Sequence, residues 1–67
     1  MAVLVISTRQ GKRYEAEVRD FHDAEREMNR FQRAYLVNHP SDKIVDASVL
    51  ARGSVIARYY NGRLESF

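Results

Sequence analysis

The sequence predicts a small α+β domain of two layers, with one amphipathic helix packed on one face of an antiparallel sheet in the order β-β-α-β-β-β. Three observations predict it. An apolar stripe at three- and four-residue steps runs from Phe21 to Tyr35 and stops before Pro40. Segments on either side of it alternate with the period of two that marks strands. Gly11, Gly53 and the pair Asn61-Gly62 punctuate those segments where turns are needed.

The elements follow in chain order. "AVLVIST", residues 2–8, is rich in β-branched residues and is bounded by "RQGKR", so it reads as a strand and a turn. "RYEAEVR", residues 13–19, puts Tyr14, Ala16 and Val18 on one face and Glu15 and Glu17 on the other, the pattern of a return strand with one wet face. A longer helix beginning near residue 13 competes, because Tyr14, Val18, Phe21, Met28 and Tyr35 also fit a helical period. Asp20 favours the strand: it is a good N-cap, with Asp23 placed at the positive end of the helix dipole. The helix then carries Phe21, Ala24, Met28, Phe31 and Tyr35 on one side and is expected to end between Leu36 and Asn38, since the residue before a proline avoids helical angles.

"KIVDASVLA", residues 43–51, and "SVIARYY", residues 54–60, alternate again, with "RGS" as the turn between them. Asn61-Gly62 is a strong hairpin signal because both residues tolerate positive φ, so "RLESF" is expected to fold back as a last short strand.

Residues 1–67 are read as a single domain, since the chain leaves no room for a second. A chain this short buries only about 60% of the surface its unfolded form exposes and usually needs a staple. With no cysteine, disulfides and thiolate metal sites are excluded. His22 and His39 lack ligand-like spacing, so no metal and no cofactor is expected. Oligomerisation or a macromolecular partner is what remains. The longest apolar run, Met1–Ile6, is far too short for a membrane span and lacks the features of a signal peptide, which fits a cytoplasmic protein.

The net charge of +2 is too small to argue nucleic-acid binding alone. Nine of the eleven basic residues are arginines, however, and arginine suits bidentate recognition of phosphate or carboxylate. Arg26, Arg30 and Arg33, with Asn29 beside them, form a basic ridge on the helix side opposite the apolar stripe. Asp23 and Glu27 stand three residues before Arg26 and Arg30, and such pairs lower the effective charge of the ridge.

Strict alternation places Val45, Ala47, Val49, Val55, Ala57 and Tyr59 against the helix. It leaves Ile44, Leu50, Ile56, Arg58 and Tyr60 on the far face, together with either Leu4 and Ile6 or Val3 and Val5, and Arg58 is placed to pair with Asp46. An apolar face of that size marks an interaction site. The expected function is therefore that of a small non-enzymatic protein-binding module, occupied by a second copy of itself or by a foreign complex. An inhibitor or regulator carried by a phage or another mobile element fits that description. Two other readings compete with it. One is a nucleic-acid module using the arginine ridge, with Arg58 and Tyr60 as a stacking platform. The other is an assembly subunit joined through its sheet edges. No catalytic constellation stands out. "HPSDK", residues 39–43, reads as a turn fixed by Ser41 or Asp42 with a solvated His39, and His22 as a surface residue.

Overall fold

The structure, a computed structural model, describes residues 1–67. Strands β1 (Ala2–Thr8) and β2 (Arg13–Val18) precede helix α1 (Phe21–Phe31), which continues through one wider π-helical turn, Gln32–Leu36. Strands β3 (Ile44–Ala51), β4 (Ser54–Tyr60) and β5 (Arg63–Ser66) complete the chain. The sheet runs in the order β2-β1-β3-β4-β5, and every neighbouring pair is antiparallel. Residues 13–18 are strand, not an early part of the helix.

Asp20 separates the two elements. Its backbone is extended, and its side chain accepts the Asp23 N–H at 2.9 Å. Asp23 returns the interaction by accepting the Arg19 N–H at 2.9 Å, which also holds the Asp23 carboxyl below its usual range. One orphan donor at the start of the helix, the Asp23 N–H, is thereby satisfied, and the chain entering the cap is fixed through Arg19. At the other end, the N–H groups of Asn38 and His39 donate to the carbonyls of Tyr35 and Leu36, and Pro40 follows. The two tight hairpins use the same conformation: Asn61 and Gly62 have φ of 50° and 89°, and Arg52 and Gly53 have 53° and 79°. Positive φ at both positions matches the right-handed twist of the strands.

The core lies between the helix and one face of the sheet. Leu4 and Ile6 of the interior strand β1, Val18 of β2 and Val49 of the central β3 are fully buried there, with Ala24, Met28 and Phe31 of α1 above them. Full burial of each large aliphatic side chain contributes about 1.5–3 kcal/mol relative to exposure. Ala47 and Ala57 lie fully buried in the central strands, and Leu64 brings β5 into the same cluster.

Two bulges break the strict alternation. Between β1 and β3 the register shifts after Ser7, so that Thr8 lies opposite Ile44 while Ser7 lies opposite Asp46. The extra residue, Val45, is 51% exposed, and Ile44 is buried in the core at 6%. Ile44 therefore belongs to the helix side and Val45 does not, the reverse of the expectation from alternation. The second shift lies between β3 and β4, where Val49 faces Ala57 but Leu50 faces Val55. Ile56 is the extra residue of this bulge; it packs against the core instead of standing on the far face. Val55, expected inside, takes the place opposite Leu50.

Candidate functional site: the open face of the sheet

The helix covers one face of the sheet, and strand pairing fixes what the other face presents. Val3 lies between Glu17 and Leu50, and Leu50 lies opposite Val55. One row thus reads Glu17, Val3, Leu50, Val55. Directly opposite residues share a face. In the next row Val5 lies between Glu15 and Ser48, Ser48 faces Arg58, and Arg58 faces Glu65. Ser7 lies between Arg13 and Asp46 beyond that, and Tyr60 faces Arg63 at the far side. Val3, Val5, Leu50 and Val55 are half-buried and none belongs to the core cluster, so they form an aliphatic patch on an uncovered surface.

The charged residues of this face divide by side. Near β2 stand Arg13, Glu15 and Glu17, with Arg13 bonded to Glu15 at 2.9 Å, which leaves an acid in excess. Near β4 and β5 stand Arg58, Arg63 and Glu65, with Arg63 and Glu65 at 3.4 Å, which leaves a base in excess. Arg58 is exposed between Ser48 and Glu65 and does not reach Asp46, the partner that alternation suggested. Of the far-face residues expected from sequence, Leu50, Arg58 and Tyr60 are present and Ile44 and Ile56 are absent. Val3 and Val5 resolve the choice left open for β1, and Val55 enters only because of the bulge.

The arginine ridge lies where the helical period places it, with Arg26, Asn29, Arg30 and Arg33 all exposed. Arg26 pairs with Asp23 at 3.3 Å and Arg30 with Glu27 at 3.2 Å. His22 stands 3.4 Å from Glu25 on the same side. Arg33 makes no ion pair, so the ridge offers one cation without a local acid. Exposed pairs of this kind contribute under about 1 kcal/mol each, and they compete with any external anion.

A third cluster ties the helix end to the rest of the chain. The Asp42 carboxylate, buried in its loop, accepts the Gln10 N–H at 3.0 Å, the Lys43 N–H at 2.9 Å and the Tyr35 hydroxyl at 2.8 Å. Burial pushes its pKa up, but hydrogen bonds from Thr8, Tyr35, Gln10 and Lys43 outweigh that and hold it at about 2. The same contact pushes the Tyr35 hydroxyl pKa up, because the phenol must keep its proton to donate. The Tyr35 ring stacks on Phe31 at 5.1 Å and on His39 at 4.1 Å, and Phe31 meets Tyr14 at 5.2 Å. Asp42 therefore does fix the 39–43 loop, through its neighbour Lys43, through Tyr35 and through Gln10, which lies 32 residues away in sequence. His39 is exposed yet stacked on Tyr35. No group of three or more His, Asp or Glu side chains is placed to hold a metal ion, and no helix is long and apolar enough to cross a membrane.

Fold and surface together define a two-layer α+β domain with one open sheet face. No protein-family model, curated protein or solved structure matches the chain.

Proposed function

We propose that this chain is a protein-binding module, and that the open face of the sheet is its docking surface. One observation carries the reading: Val3, Val5, Leu50 and Val55 lie side by side on that face, toward its β3–β4 turn end, with the charged Glu15, Glu17 and Arg58 bordering them. An apolar centre inside a polar rim is the anatomy of a protein interface. Such a module acts without chemistry of its own, by occupying a surface on its partner as an inhibitor or regulator does. Neutralisation of Arg26 and Arg30 by acids on their own helix weighs against the nucleic-acid reading.

The test is site-specific photocrosslinking. A benzophenone amino acid replaces Tyr60, which is exposed on the docking face and of similar shape, or replaces Arg33 on the ridge. Irradiation in lysate is expected to give protein adducts from position 60 that persist at high salt, and none from position 33. No protein adduct from position 60, or salt-sensitive nucleic-acid adducts from position 33, overturns the reading.

A further inference from the structure

We infer that the occupant of the open face is a second copy of the chain, packed sheet on sheet about a two-fold axis that runs parallel to the strands between β1 and β3. The inference rests on reading this face as a docking surface. A two-fold interface must be self-complementary, because each contact between two positions occurs twice. An axis along the β1–β3 seam exchanges strands that lie equally far from it. β1 then meets β3 of the second copy, and β2 meets β4.

Most of the observed rows suit this exchange; the exception is Glu17, which comes beside Val55 of the second copy at the edge of the contact. Val3 comes onto Leu50 of the second copy, since the two occupy one row on either side of the seam. Glu15 comes onto Arg58 of the second copy, since these residues flank Val5 and Ser48 in the next row. Both contacts are made twice. A two-fold axis running across the strands gives the opposite result. It sets β2 on β2 and β4 on β4; with the axis on the row shared by Glu15 and Arg58, Glu15 faces Glu15 and Arg58 faces Arg58, and only Glu17 meets a base, Arg13. The division of charge thus selects the axis along the strands and the nearly aligned packing of a β-sandwich. It also gives Arg58 an acid to pair with; within its own chain it makes no ion pair, and Glu65, the acid opposite it, is bonded to Arg63.

Size is consistent with a modest interface. A standard complex takes about 800 Å² from each partner. That is about a sixth of the 4611 Å² this chain exposes. One face of a five-stranded sheet, roughly 20 Å by 20 Å, is about 400 Å² before side-chain relief, about half of the standard figure, so the interface is a small one. Association is therefore expected to be concentration-dependent over the micromolar range. Each dimer would display two arginine ridges on its outer surfaces.

The test is a charge swap read by light scattering and sedimentation at rising concentration. The wild-type chain is expected to reach twice its monomer mass. Glu15→Arg and Arg58→Glu are each expected to weaken association by about tenfold or more, because each sets like charges together twice. The double variant is expected to recover wild-type association. Both positions are exposed, and circular dichroism checks that each variant keeps its fold. A wild-type chain that stays monomeric at several hundred micromolar overturns the inference, as does a dimer that the single variants leave intact or that the double variant fails to restore. If the chain is monomeric while position 60 crosslinks to other proteins, the inference fails and the docking reading survives. If the chain dimerises but position 60 gives no protein adduct, including none of twice the chain's mass, both fail.

Discussion

The bulge at the start of β3 reverses the order of importance of two adjacent residues, and small deletions can measure it. Ile44→Val removes one methyl from a side chain that is 6% exposed, whereas Val45→Ala removes two methyls from one that is 51% exposed. Strict alternation predicts that the second deletion costs more. The structure predicts the opposite. Ile→Val in a core costs about 0.5–1.5 kcal/mol, and surface substitutions stay within about 0.5 kcal/mol. A domain of this length holds only about 3–10 kcal/mol in total, so Ile44→Ala, at about 2–5 kcal/mol, risks unfolding it and the gentler variant is preferred. In a domain this small, 1 kcal/mol shifts Tm by about 4–8 °C. Thermal melts followed by circular dichroism, run at a concentration low enough to suppress self-association, are expected to place Ile44→Val about 3–10 °C below wild type. Val45→Ala is expected to lie within a few degrees of wild type. A Val45→Ala variant that melts below Ile44→Val refutes the assigned register.

Asp42→Asn is expected to lower stability at neutral pH, because an amide sets its own N–H₂ against a ring of donors. The acid profile is the sharper signature. Since the folded-state pKa of Asp42 lies at about 2, below its ordinary value, its contribution is complete above about pH 4 and is lost as pH falls through 2. Wild type is expected to lose stability across that window while Asp42→Asn loses less, and parallel profiles would contradict the network. Arg52 holds a left-handed conformation that costs a side-chain-bearing residue about 1–2 kcal/mol, and asparagine adopts it more readily. Arg52→Asn is expected to raise the urea midpoint by the equivalent of about 0.5–1 kcal/mol, and a variant no better than Arg52→Ala would show that the turn is not strained there.

Local signals in the sequence place the helix, its Asp20 cap, the Asn61-Gly62 turn and the inward side of β2 correctly. Each depends on residues within a few positions of one another. The faces of β3 and β4 are different. Ile44 and Val45 are both apolar, as are Val55 and Ile56, so alternation there cannot tell which one turns inward. The neighbouring strand decides, through the bulges opposite Thr8 and Leu50. The same limit hides the Asp42 cluster, whose Gln10 partner lies 32 residues away. Arg58 illustrates both effects: its exposure is legible, but its distance from Asp46 follows from the register of β3 against β4.

The strand order also fixes a sequence of events in folding. β1 and β2 are joined by a short turn, and β3, β4 and β5 by two more, so each side of the sheet is local in the chain. Hairpins of this kind form within microseconds. The seam between β1 and β3 is the only strand pairing that spans the helix, and its long loop must be closed before any contact rewards the closure. The middle of the sheet is therefore expected to assemble last. Until it does, "AVLVI" and "SVL" present bare strand edges to neighbouring molecules, which makes this step the one most exposed to misassembly. The bonds from the Arg9 N–H to the Lys43 carbonyl and from the Gln10 N–H to the Asp42 carboxylate sit at the end of that seam and clasp the two halves together in the finished fold.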